Sequence, residues 1–561
     1  MNGLRFRQVV ACTLAASVAA LGCRPGNAGG IADNQDALQM WSEATGDAAP
    51  TLVDEADGTT SLRWGNASLD TYARTTSGGY LLTPYASGAF HRGTFEGGME
   101  TTRAGDGKSW FRIALTESND RAVLIGSTQL DQVQFGYTSG GQRFELGDMA
   151  LTHSTLSANT PLKGLRWQGG FESTRLSAAA GVVSESWEAL GDANRRMLFL
   201  REAVSVKAEQ LLGGAGTVYA TAQSFGDRGD LSADYATVAR STGHSATVGA
   251  NLLRGALSVQ TEAALSQATE EGGTRAAAHA FIVDATWQHR AWTLRSGLHD
   301  FGPRFASLSV AALPGLRERY ANAAWRASAW ATLTFDLRSM FDRTQAPIDP
   351  ATLEVAGAGR TSTQTLQLNL TPPQLPGSVV TLVASRSRGH TLDEIRTDQA
   401  SASATLAMTR GAWTSQATIQ RGHSYTDAAL TGASVLAGAS GSVARTWGDA
   451  ATAWNVQGTL SARYQSQRFA TGVRNHVQSG GARITAVHSD QGAASLQLDV
   501  GSGRDALGNP LALRNLRLDI DRPVRPQLAM KLYAAWTNNH PQVPEIAYRE
   551  RLLGVQFTYS F

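Results

Sequence analysis

Cysteine is nearly absent: the 561 residues hold two, Cys12 and Cys23. Both lie close to the start, so no disulfide framework can hold the body of the chain, which must rely on burial and paired backbone. Long apolar runs are missing too. Nothing beyond the first residues approaches the ~20 consecutive apolar residues of a membrane helix, which excludes helical insertion. Charge of one sign is also lacking. Lys and Arg number 49 against 47 Asp and Glu, and the arginines stand singly rather than clustered with aromatics, which removes nucleic acid as a partner. With 42% hydrophobic and 17% charged residues, 58 glycines and a mean hydropathy of -0.20, the chain is neither disordered nor an ordinary helical globule. Catalytic signatures are absent as well: no GxSxG, no HExxH and no GxxxxGK followed by Ser or Thr. No enzymatic activity, cofactor or metal is therefore expected. "GHSAT" around His244 and "LHDFGPRF" around His299 and Asp300 put histidine near Ser or Asp, a spacing too common to indicate catalysis.

What is present begins with Arg5 and Arg7, an apolar run over 9–21 and then small residues, the order of a bacterial export signal, expected over 1–28. "AALGC" is similar to a lipoprotein cleavage site, with cleavage before Cys23 and lipid on its sulfur; ordinary cleavage nearby, for instance after Ala28, is the alternative. Residues 29–78, with "NQDALQMWSEATGDAAP", are expected to be a periplasmic tail with one short helix.

From there the pattern has a period of two. In "RLLGVQFTYSF" Leu553, Val555, Phe557, Tyr559 and Phe561 fall on one face, with Gly554, Gln556, Thr558 and Ser560 on the other. "LQLNL" (Leu366, Leu368, Leu370) and "TLTFDL" (Leu333, Phe335, Leu337) repeat it. Each unit of about ten residues suits a tilted strand crossing a ~25 Å apolar band. Short links near Gly255, Arg290, Ala327 and Gly411 alternate with long polar ones such as "SESWEALGDANR" and "FDRTQAPIDPATLEVAGAG". Hairpins with short turns on one side and long loops on the other predict an all-β fold. The expected form is a closed antiparallel transmembrane β-barrel over 79–561, with about 22–26 strands, short periplasmic turns and long extracellular loops. Alternating sides keep their parity only if "QSQRFATGVRNHVQSGG" is mostly an outer loop, despite Phe469 and Val473. Trp287, Trp292, Trp330, Trp413, Trp454 and Trp536 fall near strand ends, where an interfacial girdle would want them.

Export signal, alternating strands, alternating loops and the terminal "VQFTYSF" together resemble a Gram-negative outer-membrane β-barrel protein. The resemblance implies a place in the cell outer membrane, contact with its lipid, and assembly by the barrel-assembly machinery reading Val555, Phe557, Tyr559 and Phe561. Periplasmic export partners are a further implication for an export-type barrel. A pI of about 8.5 departs from the acidic habit of general porins. A TonB-dependent receptor is disfavoured, because "PTLVDEA" is only loosely like the docking peptide and a plug of usual size would leave too little chain for its barrel. One stretch, 147–164, breaks the rhythm: it is polar, carries Pro161 and is longer than a hairpin needs. It is expected to be an outer loop, either folded into the lumen as a constriction or plug, with Asp148, His153, Asn159 and Lys163 as its polar residues, or an ordered surface loop. Its run from "GD" to "PLKG" is similar to runs in large export barrels, fimbrial ushers among them, although this chain has no room for an usher's extra periplasmic domains. The expected function is a channel or conduit for a hydrophilic solute or an exported polymer such as a polysaccharide. The alternative is a surface-exposed adhesion or interaction protein that uses the barrel as its anchor.

Overall fold

The computed structural model describes residues 51–55, 59–78, 86–103, 107–124, 127–184, 186–193, 196, 198–230, 240–273, 275–309, 313–343, 359–390, 395–427, 432–448, 453–504, 510–540 and 548–561. The expected signal, Cys23 and the first part of the expected tail, up to residue 50, lie outside them.

The strands are β1 (Thr51–Glu55), β2 (Thr59–Gly78), β3 (Gly88–Arg103), β4 (Gly107–Ser118), β5 (Thr128–Ser139), β6 (Gln142–Thr152), β7 (Asn159–Phe171), β8 (Thr174–Val183) and β9 (Leu200–Leu211). Next come β10 (Gly216–Arg228), β11 (Ser241–Arg254), β12 (Leu257–Glu270), β13 (Ala276–His289), β14 (Trp292–Phe301), β15 (Leu316–Ser328), β16 (Ala331–Asp342), β17 (Arg360–Leu370) and β18 (Ser378–His390). The last are β19 (Arg396–Arg410), β20 (Trp413–Thr426), β21 (Ala433–Trp447), β22 (Trp454–Phe469), β23 (Arg474–His488), β24 (Gly492–Arg504), β25 (Pro510–Arg525), β26 (Leu528–His540) and β27 (Tyr548–Ser560). A single turn of helix, α1 (Glu188–Gly191), lies between β8 and β9.

Strands β2 to β27 form one antiparallel sheet of 26 strands. It closes where β2 pairs β27, from Asn66 opposite Ser560 to Gly78 opposite Tyr548. Except at the extracellular end of β5, which β6 leaves at Gly147, closure pairs the strand edges, whose open N–H and C=O groups would each cost several kcal/mol in hydrocarbon. The alternation decides which face meets lipid. Leu265 is 71% exposed, while its neighbours Ala264 and Ser266 are 4% and 6% exposed. Val204, Val206, Val248, Ile419 and Leu460 are likewise exposed on the outward face, with polar residues between them turned to the lumen. With β27 ending on the periplasmic side, the tight links at 255–256, 290–291, 329–330 and 411–412 are periplasmic, and the long connections are extracellular. Trp287, Trp292, Trp330, Trp413 and Trp454 all fall at the periplasmic ends, where Trp292 stacks on Trp325 at 5.4 Å; Trp536 lies in the extracellular half of β26.

Two expectations are corrected. The barrel begins at Thr59, not at residue 79, because β2 is the strand that closes it and β1 extends its periplasmic end. The outward side of β2 holds Gly65, Ala67, Thr71, Ala73 and Thr75 around a single Leu69, too weakly apolar for the alternation to register. "QSQRFATGVRNHVQSGG" keeps the expected parity, but β22 runs on to Phe469 and β23 starts at Arg474, leaving an outer turn of only 470–473. Its outward residues, among them Ser466, Arg468, Arg474 and His476, are polar, so the ladder continues where the apolar pattern stops.

Candidate functional site

The ladder between β5 and β6 stops early. It runs from Ser139 opposite Gln142 only to Gln134 opposite Gly147, and beyond Gly147 the arm 148–162 leaves the wall, Lys163 being the first residue of β7 paired to β8. Register explains the bend. Gly147 lies opposite Gly164, and Gly164 opposite Gly181, so three glycines sit side by side across β6, β7 and β8. Gly147 has a φ of 100°, and a Cβ there would overlap the carbonyl oxygen of Val133. A Cβ on Gly164 would overlap the Ala180 carbonyl, and one on Gly181 the Lys163 carbonyl. Only glycine lets three backbones approach this closely while one turns left-handed.

The arm then lies along the lumenal wall. Met149, Leu151, Ala158 and Leu162 pack on Ala179, Ala203 and Phe225 of β8, β9 and β10. Leu156 enters a second cluster with Ala264, Ala280, Ile282, Phe301 and Phe305. Burying Leu151, Leu156 and Leu162 contributes about 1.5–3 kcal/mol each. The tip is pinned by polar contacts. The Thr155 and Leu156 amides donate to the Glu262 carboxylate of β12 at 3.2 and 2.9 Å, and Ser309 Oγ donates to the Thr155 carbonyl at 2.5 Å. Glu262 is buried, and these amides supply the partners that a buried carboxylate requires.

The four polar residues singled out in the sequence divide into two places. Asp148 and Lys163 are cross-strand partners at the neck, 2.7 Å apart. Asp148 also accepts from the Val133 amide and from Trp187 Nε1, each at 2.7 Å. Glu188 of α1 accepts from the Leu130 amide at 2.6 Å. Together these acids satisfy the edge of β5 that β6 has vacated. His153 and Asn159 belong to the tip. Asn159 faces Thr152 and bridges Ser309, while His153 sits between Ser205 Oγ at 2.7 Å and Ser177 Oγ at 3.1 Å. Burial first, then Lys207 and Arg166, pushes His153 down from 6.5 to about 4. A depressed histidine is docked neutral, so its contribution is fully present above the unfolded value near 6.5 and is lost as pH falls toward 4. Protection of 153–158, taken against the intrinsic exchange rate at each pH, should therefore fall between pH 6.5 and 4, and His153→Gln should flatten that dependence. An equal dependence in the variant would assign it to other groups.

The arm is not the polar loop its serines and threonines suggest. It is a β-hairpin with an apolar side, legible as Met149 and Leu151 alternating with Ala150 and Thr152. Glu262, Ser205, Trp187 and the glycine row were missed, since register alone brings them there. Histidine forms no catalytic group with its sequence neighbours. His244 faces outward while Ser245 faces the lumen, and His299 bonds Asp284 at 2.9 Å, whereas Asp300 pairs with Arg343. At the seam Phe557 and Tyr559 face outward with Val555, and the Phe561 ring covers Gly65, whose backbone exchanges two hydrogen bonds with Phe561 at 2.8 and 2.9 Å.

Further round the barrel the lumenal lining changes character. The inward faces of β17 to β22 carry mainly Thr, Ser, Gln and Asn, with Val379, Val383, Leu436 and Phe469 among them and Arg463 their one charged residue among the described residues. Neighbours bond in short pairs, such as Thr381 to Asn369 at 3.0 Å, Ser385 with Ser401 at 2.8 Å and Thr405 with Thr418 at 3.0 Å.

No family model matches the chain, and no curated protein matches it. Solved structures do. The siderophore receptor PirA from Pseudomonas aeruginosa is 11% identical with a TM-score of 0.42, covering 91% of this chain and 81% of its own. The P pilus usher (PapC) translocation pore is 12% identical with a TM-score of 0.30, covering 89% and 99%. The outer membrane protein opdK from Pseudomonas aeruginosa is 13% identical with a TM-score of 0.30, covering 58% and 95%. At such identities and TM-scores no role carries over from them to this chain. Closed, apolar outside and polar within, this chain is an outer-membrane β-barrel.

Proposed function

We propose that the barrel is a conduit for a hydrophilic, uncharged polymer or solute, with a polysaccharide as the preferred class of cargo. The observation that supports this reading is the hydroxyl and amide lining of β17 to β22. Such a wall exchanges hydrogen bonds with a neutral polar chain at little net gain, so the chain slides instead of sticking. Width supports it too. Strands ~4.8 Å apart and tilted ~40° make a ring of 26 about 50 Å across between backbones, far more than an anchor requires. The hairpin covers the wall from β8 to β14 and narrows this space without filling it.

Proteoliposomes loaded with neutral dextran or dextran sulfate of equal size test the reading. Neutral dextran should leave several-fold faster. Equal rates would remove the preference for neutral cargo, and no release beyond protein-free vesicles would remove the conduit and favour an anchored interaction protein. Replacing 148–162 with a Gly-Ser turn should raise planar-bilayer conductance only slightly, by roughly a tenth, the share of the section that two strands occupy. A rise of many-fold would make the hairpin a plug.

A further inference from the structure

The lipid-facing surface holds a group of charges that a conduit does not need. From β20 to β27 the outward faces carry no Asp or Glu among the described residues, yet their extracellular halves carry Arg421, Arg468, Arg474, Arg504, Arg514 and Arg551. Register gathers them. Arg421 lies in one cross-strand row with Ala437, Ser466, His476 and Arg504, and Arg468 stands directly opposite Arg474 in the next row outward. Arg474 is held in place by Ser466 Oγ at 2.9 Å and the Tyr464 hydroxyl at 2.8 Å.

Two outward bases elsewhere on the same belt are paired with acids on their own face: Arg228 with Glu202 at 2.7 Å, and Arg386 with Asp398 at 2.5 Å. Here, among the described residues, the strands of the array carry no acid on their outward face. Below it, toward the membrane centre, lies an open furrow of about 830 Å³. Its floor is small, with Ala417, Ala439, Gly441, Ala462 and Gly480, and Ile419, Tyr464 and Val500 form its sides, while Arg514 stands at its upper rim.

A run of like charges beside hydrocarbon is unfavourable unless an anion shares its plane, and the arginine fork suits phosphate oxygens. We propose that this face binds a phosphorylated, multiply acylated glycolipid of the outer leaflet, with phosphates on Arg468, Arg474 and Arg504 and acyl chain in the furrow. Charge complementarity selects the headgroup, and the small-residue floor selects the chain. The proposal needs only the membrane position of the barrel and stands apart from its cargo.

The test uses the whole barrel in detergent with two probes, bis-phosphorylated lipid A and the same lipid stripped of phosphate. Bound lipid is read by native mass spectrometry. The phosphorylated lipid should bind about tenfold more tightly or better, a comparison that needs no variant. Arg468→Gln, Arg474→Gln and Arg504→Gln combined should erase that difference. Ala439→Leu with Ala462→Leu should weaken both lipids alike by filling the furrow. Arg445→Gln, outward at the periplasmic end of β21, should leave binding unchanged. Heat-modifiable mobility confirms that each variant is folded. Equal binding of the two lipids by the native barrel, an unaffected triple variant, or an equal loss in Arg445→Gln would each overturn the proposal.

Discussion

Valine in place of Gly164 is expected to throw the hairpin off the lumenal wall. The new side chain would occupy the position of the Ala180 carbonyl, where even a Cβ overlaps, and it stands in the middle of the row formed with Gly147 and Gly181. β7 cannot retreat, because it is paired to β8 over Phe171 to Lys163, so the arm must swing away from the wall. Undocking exposes Leu151, Leu156 and Leu162, about 1.5–3 kcal/mol each, and leaves the Glu262 carboxylate without its amide donors. Exchange of the Leu156 amide should therefore rise by about three orders of magnitude or more. Gly170→Ala is the control. Its Cβ would meet the Thr174 carbonyl at an ordinary 3.5 Å, so exchange at Leu156 should stay near native. Native protection in folded Gly164→Val would show that the arm is not held by this close approach.

Aspartate at both Phe557 and Tyr559 is expected to abolish assembly in the membrane. The two side chains are 40% and 43% exposed on the lipid face of the strand that closes the barrel. A charge on the lipid face costs ~2–4 kcal/mol for Lys or Arg at the bilayer midplane, and less for Asp and toward the interface, so the direct cost at this end of β27 is modest. The larger penalty is indirect. If β27 fails to seat, β2 and β26 become open edges in hydrocarbon, and every unpaired backbone group adds its own cost. Deleting Phe561 should act in the same direction, since it removes two backbone bonds to Gly65 and the ring that covers that glycine. We further propose that the assembly machinery reads Val555, Phe557, Tyr559 and Phe561. Heat-modifiable protein in the outer-membrane fraction is the measurement, and normal accumulation of the double aspartate variant would contradict a lipid-facing β27.

The sequence sufficed for the barrel, its strand count to within a few and the side of the wall on which most residues fall. Lipid is the reason: a strand that crosses it must alternate residue by residue, and that constraint is local, so Leu366, Leu368 and Leu370 declare it without knowing their neighbours. Asp148, His153, Asn159 and Lys163 were legible as an unusual group, but their separation into a neck and a tip was not. β2 stayed hidden because small outward residues carry almost no alternation. Everything that depends on register waited for tertiary structure. Tyr533 donates to Asp70 at 2.7 Å across 463 positions of chain, Gly147 meets Gly164 and Gly181, and Arg504 joins Arg421 in one row over five strands. A period of two says which face a side chain takes and is blind to what lies beside it. Which residue stands opposite which is settled only when hydrogen-bonded ladders lock neighbouring strands and the last strand meets the first.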